Sequence, residues 1–258
     1  MLINFALAPI EKICPWGQPG SYRLHWFGLT DGEYWIQAGE AILFEYSDYA
    51  RAAGASRYCN YQVVRLYEDL MNMLPYILEP VPEQLVQYIW GDTAKAWQKT
   101  YSAWCDKNYE VLEKSRFNEI FDAAIVWTGK RWLDSGYLCP SANLAIWSDE
   151  EQVHIEWDNR DRIFDGNPAW SAILGSYHMP RSEFVEEVRA FHSRLMEQMA
   201  VRVQQVQEGA LSSKIEIDLP GLFKEHAKRV RTLEAALNFL PLTDWKETER
   251  AIREIREV

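Results

Sequence analysis

The stretch Trp157-Asp158-Asn159-Arg160-Asp161-Arg162-Ile163-Phe164-Asp165-Gly166-Asn167 concentrates more ionisable chemistry than any other part of the chain. Its carboxylates and guanidinium groups follow directly on a run that reads as a strand, and loops at strand ends are where functional side chains gather. Read as a calcium loop from Asp161, it puts Ile163 at the third position and Ala172 at the twelfth, so two ligands are missing. Read as paired carboxylates for hydrolysis, it offers only a generic acid pair. Read as a turn, its Asp and Asn side chains bond their own backbone and its Arg–Asp pairs lock the loop. The turn is preferred to a catalytic role, and binding stays open. The candidate binding residues are Trp157, Asp158, Asn159, Arg160, Asp161, Arg162, Asp165, Trp170 and His178. No catalytic residue and no metal ligand is assigned.

The 5 histidines form no HExxH or comparable ligand spacing. His25 and His154 fall on strand-like runs and His192 and His226 on helical ones, where a hydrogen-bonded structural imidazole is the expected state. His178 closes a strand-like run and therefore joins the candidates. No GxGxxG, GxxxxGK[ST] or GxSxG motif occurs. Cys14, Cys59, Cys105 and Cys139 include no CxxC pair, so reduced thiols are expected rather than a zinc site or a disulfide framework. No cofactor is expected.

The elements that must position these residues follow a pattern that occurs twice. Trp26 to Trp35 leads into Ala41-Ile42-Leu43, and Trp147 to Trp157 leads into Ala172-Ile173-Leu174. Each reads as a hairpin plus a third strand followed by a long amphipathic helix. In the first unit, strands are expected at Leu2–Leu7, Arg23–Leu29, Glu33–Gln37 and Ala41–Tyr46, with hairpin turns at Asp31-Gly32 and Gly39-Glu40. In the second, they are expected at Asn143–Trp147, Gln152–Trp157 and Ala169–Tyr177.

Helical periodicity places Val63, Val64, Tyr67, Leu70, Met71 and Leu74 on one face, with Asp69 on the polar side and Pro75 kinking or ending the helix. It also places Phe184, Val188, Phe191, Leu195, Met199, Val203 and Val206 along one side of the longest helix. Trp90, Trp97, Trp104 and Val111, seven residues apart, read as a core stripe, with Gly91-Asp92 as an alternative break that leaves Trp90 on a different helix from Trp97 and Trp104. The expected fold is α+β: antiparallel sheets from two hairpin-plus-strand units, covered by long amphipathic helices. It forms a single domain over 1–258, with halves 1–135 and 136–258 as a pseudo-repeat. Duplication and shared amphipathic rules both account for the echo.

The 12 Trp, beside 13 Tyr and 10 Phe, supply most of the expected core, because each buried ring removes roughly 150–250 Å² from water. A net charge of −11 argues against a phosphate-binding or nucleic-acid-binding protein and suits one that docks a basic partner. No apolar run approaches the ~18 residues of a membrane span. The apolar start lacks a basic segment and a cleavage site and reads as a strand, so a cytoplasmic location is expected.

The runs Val153 to Asp161, Phe184 to His192 and Arg194-Leu195-Met196, with Pro15-Trp16-Gly17 and Trp26 to Gly32, resemble a bacterial family known only as a domain of unknown function. The resemblance covers nearly the whole chain. It implies a cytoplasmic bacterial protein of one architecture and carries over no catalytic residue. Two functions are expected from different classes. The first is a non-enzymatic acidic interaction protein, in concrete form an immunity protein that caps a basic toxin. The second is an enzyme or small-ligand binder using the 158–165 loop with Asp31, Glu33 and His178.

Overall fold

Alternation from Asp31 to Ala38 makes a strand whose even-numbered residues are all buried, and the first sheet is built around it. The computed structural model describes residues 1–257. The first strands are β1 (Ile3–Leu7), β2 (Tyr22–Arg23), β3 (Asp31–Ala38), β4 (Ala41–Leu43) and, after the short helix α1 (Asp48–Ala52), β5 (Cys59–Gln62). β1 lies antiparallel along one edge of β3, with Ile3 opposite Ile36. β4 and β5 share the other edge, with Leu43 opposite Ile36 and Tyr61 opposite Gly32.

Two expectations fail in this sheet. Asp31-Gly32 is the start of β3, not a turn. A Cβ on Gly32 would lie 2.4 Å from the Ala6 carbonyl oxygen on β1, so this glycine marks the close approach of a neighbouring strand. The turn is the second candidate, Gly39-Glu40, where Gly39 adopts a φ of 64°. The strand expected at Arg23–Leu29 stops at Arg23, and the chain winds a 3₁₀ turn over Gly28–Thr30. Trp26 is therefore no strand residue. It is fully buried under Arg229, whose guanidinium carbon stands 4.4 Å from the ring centre, and it is no counterpart of Trp147.

The second sheet holds β6 (Leu144–Ser148), β7 (Gln152–Asp158) and β10 (Leu174–Pro180), all antiparallel with β7 central. Between them β8 (Ile163–Phe164) and β9 (Asn167–Pro168) form a small ribbon. The third strand starts later than Ala169 because the backbone there pairs with the other sheet's connection. Ser47 N donates to Ala169 O and Ser171 N to Glu45 O. The true equivalents in the two sheets are β5 and β10: each lies antiparallel on a central strand and runs directly into a long helix. A last short strand, β11 (Ile215–Glu216), lies parallel to β2.

Helix α2 (Val63–Leu78) buries every residue expected on its apolar face and runs past Pro75 to Leu78. Asp69, expected on the polar side, is buried too, and desolvation pushes its carboxyl up to about 7 although Arg65 stands 3.3 Å away. Next come α3 (Glu83–Val86), α4 (Gly91–Asn108) and α5 (Lys114–Gly129). Because α4 begins at Gly91 and ends at Asn108, the tryptophan stripe is split. Trp97 and Trp104 are core, Trp90 is half-buried ahead of the helix, and Val111 is exposed.

Helix α6 (Arg181–Gln207) buries all seven expected positions. It is followed by α7 (Leu219–Arg229), α8 (Thr232–Asn238) and α9 (Trp245–Arg256).

Helix α2 packs on β3, β5 and β6, and α6 on β1, β7 and β10, so each bridges both sheets. One main core results, drawing on both chain halves. A second core joins residues of α3, α4, α5 and α9 to Ala145 and Trp147. β6 divides the two. Leu144 and Ile146 face the main core and Ala145 and Trp147 the second, and the fifth residue, Ser148, is buried with its hydroxyl donating to Ile77 O. That double burial explains its nearly continuous apolar sequence.

Candidate functional site

The loop after β7 is held by an internal Arg160–Asp158 pair and by Lys95, Asn143, Ala172 and Tyr49 from other segments. Asp158 ends the strand with its carboxylate buried and saturated. Its Oδ1 accepts from Arg160 Nε at 2.8 Å, and its Oδ2 accepts from Arg160 Nη2 and from Lys95 Nζ of α4, both at 2.7 Å. The Arg160 guanidinium, with Lys95 beside it, holds the Asp158 carboxyl well below the usual carboxylate range in spite of burial. This is a structural carboxylate and not a general base. Asn159 is buried, accepting from Asn143 N at 2.8 Å and donating to Ala172 O at 2.9 Å.

The remaining candidates disperse. Trp157 is core, its ring against Gly175, where an added Cβ would lie 2.5 Å from Trp157 Cζ2. Trp170 is core, stacked on Tyr46 at 4.5 Å. Asp165 sits in the β8–β9 turn and accepts from the Tyr49 hydroxyl at 2.9 Å. His178 does not close its strand but lies within β10, exposed and directly opposite His154. Asp31 and Glu33 belong to β3 of the other sheet, so the wider constellation with the loop is not assembled.

Asp158, Asp161 and Arg162 do come together, on the wall of a cavity of about 300 Å³. The opposite wall comes from residues the sequence pointed to weakly or not at all: Trp90, Lys95, Gln98 and Trp132. Trp90 and Trp132 face each other at 5.0 Å between ring centres. Arg162 gives an Nη2 hydrogen bond to Asn143 Oδ1, and its buried Nε makes no hydrogen bond but lies 3.6 Å from Asp161 Oδ1. The sequence signal for this wall was Gly91-Asp92, which marks Trp90 as lying outside the helical stripe.

A second concavity, of about 910 Å³, lies at the opposite end of the β6–β7 hairpin. It is lined by Glu79, Glu83, Asp149, Glu150 and Glu151, with Trp147, Trp245, Pro80 and Pro82. Glu83, Glu150 and Glu151 are exposed. Glu79 is committed to the scaffold: its Oε2 accepts from buried Arg131 at 3.1 Å and from the Thr243 hydroxyl at 2.7 Å. Asp149 accepts from the Gln152 and Glu151 amides and bonds His154 Nε2 at 2.8 Å. His154 in turn stacks on Trp147 at 4.1 Å. Just before Thr243 the chain leaves Leu240 and Leu242 exposed, at 78% and 94%.

The model of the Family of unknown function (DUF5984) matches residues 2–251. The chain belongs to this family. No curated protein and no solved structure matches it. All residues lining the cavity and the groove fall inside the family's matched span.

Among the described residues no group of three or more His, Cys, Asp and Glu side chains could hold a metal ion. Among them, too, no helix is long and apolar enough to cross a membrane.

Proposed function

We propose that this protein is a non-enzymatic acidic interaction protein whose groove at the β6–β7 turn receives a cationic segment of a basic protein partner. The observation that carries this reading is the groove itself: five carboxylates beside Trp147 and Trp245, with no Lys or Arg in the lining. Aromatic rings serve as anchors in such interfaces, and carboxylates around them select a basic partner and speed its encounter. The net charge of −11 acts in the same direction at longer range. Leu240 and Leu242, next to Thr243, add exposed apolar surface beside the acidic one. An immunity protein that neutralises a basic toxin is the concrete form of this function.

The test is co-expression with a basic protein encoded beside it, scored by growth and by co-purification. The intact chain restores growth and co-purifies. The Glu83→Lys/Glu150→Lys/Glu151→Lys variant, altered only at exposed positions, does neither. A variant that protects as well as the intact chain overturns the proposal.

A further inference from the structure

The cavity at the other end of the hairpin differs in charge, and its chemistry is separable from that of the groove. Asp158 is spent on Arg160 and Lys95. Asp161 stands at the rim, 69% exposed, and accepts a 3.3 Å hydrogen bond from Asn143 Nδ2. The charged side chains of the lining are Lys95 and Arg162 with Asp158 and Asp161; Arg160, outside the lining, already takes up both oxygens of Asp158, which leaves Lys95 the cation with donors to spare.

The unspent hydrogen-bonding capacity is on the donor side. Lys95 uses one of its three ammonium donors on Asp158. Arg162 uses Nη2 on Asn143, and its buried Nε, which makes no hydrogen bond, lies 3.6 Å from Asp161 Oδ1. Gln98 contributes an amide. Beside these donors stand the flat surfaces of Trp90 and Trp132, over a floor that includes buried Ile89 and Ala94. A volume of about 300 Å³ lies at the small end of the range for ligand sites.

We infer that this cavity binds a small planar carboxylate, a single aromatic ring bearing one anionic group, with the carboxylate on Lys95 and Arg162 and the ring against the Trp90–Trp132 pair. A guanidinium beside an ammonium favours a carboxylate over a neutral polar group, because charge-assisted hydrogen bonds are roughly twice as strong as neutral ones. The tryptophan faces favour a ring over an alkyl chain. This inference is independent of the groove and stands whether or not a basic partner binds there.

The experiment uses the full chain labelled with ¹⁵N and three probes of equal size, namely benzoate, benzyl alcohol and benzylamine, each followed by NMR and calorimetry. Benzoate is expected to shift the indole N–H signals of Trp90 and Trp132, assigned with Trp90→Phe and Trp132→Phe, while benzylamine leaves them in place. Lys95→Met and Arg162→Met should each weaken benzoate binding by about tenfold. The Lys95 side chain is 56% exposed, so its variant serves as the reading if Arg162→Met fails to fold. The inference is overturned if benzoate moves neither signal at about 10 mM. It is equally overturned if the three probes bind alike, or if the folded Lys95→Met variant binds benzoate as the intact chain does.

Discussion

The two ends of the β6–β7 hairpin share their strands and differ in how their charges are used. At the turn end, Glu83, Glu150 and Glu151 are exposed in an open groove beside two tryptophans. At the far end, Asp158 is enclosed by two cations, and the surrounding cavity has donors to spare. The two are separated by the five residues of β6, roughly 17 Å of strand. The same division appears between two carboxylates on one face of β7. Burial pushes Glu156 up although the Trp147 indole donates to it at 2.7 Å, while Arg160 and Lys95 pull Asp158 down. Net charge therefore describes neither end. What matters is whether each carboxylate meets a cation, an indole or water.

The comparison can be broken most severely at its acidic end by removing a cation. Arg131 is fully buried and bonds Trp127 O, Glu79 O and Glu79 Oε2. Arg131→Met leaves Glu79 uncompensated and should lower unfolding stability by about 3–5 kcal/mol in urea titrations. At the far end, Gly175→Ala drives a methyl group into the Trp157 ring. It should cost about 1–3 kcal/mol by the same measurement. A fall below a few tenths would mean that the ring moves aside freely.

The contrast within β7 is sharpened by pH. A depressed carboxyl stabilises the fold fully above its unfolded pKa, about 3.9 for Asp, and loses that stabilisation as pH falls through the lower folded value. Asp158→Asn should therefore cost about 1–2 kcal/mol at neutral pH and flatten the loss of stability below about pH 4. A raised carboxyl has the opposite sign: its cost grows as pH rises from the unfolded value, about 4.3 for Glu, through the folded one. Glu156→Gln should thus be more stable than the intact chain at pH 8, by less than about 1 kcal/mol, and indistinguishable from it at low pH. Thermal or urea melts across that range check both signs, and parallel responses of the two variants would erase the contrast.

Local pattern carried much of the fold. The seven apolar positions of α6 and the six named on α2 needed only helical periodicity to be found, and the 144–157 hairpin needed only alternation and a polar turn. Signals with two physical meanings misled. Gly32 permits close strand contact rather than a turn, and the apolar run from Ala169 crosses to the other sheet before β10 begins. The site was legible in part. Asp158, Asp161 and Arg162 were found from composition, but their partners Lys95, Trp90 and Trp132 come from distant elements. The groove was not legible at all, because Glu79, Glu83, Trp147, Glu150 and Trp245 meet only when α9 closes on the α2–α3 connection. His178 was misplaced because the strand's end was, and with it the loop position it was meant to hold.

The double burial of β6 has a consequence for melting. Each core takes alternate side chains from the same strand, so neither core can lose its packing while the other keeps β6 in place. Heat should therefore remove both at once, in a single endotherm whose calorimetric and van't Hoff enthalpies agree. The five residues between two tryptophan-rich interiors would then set the size of the cooperative unit.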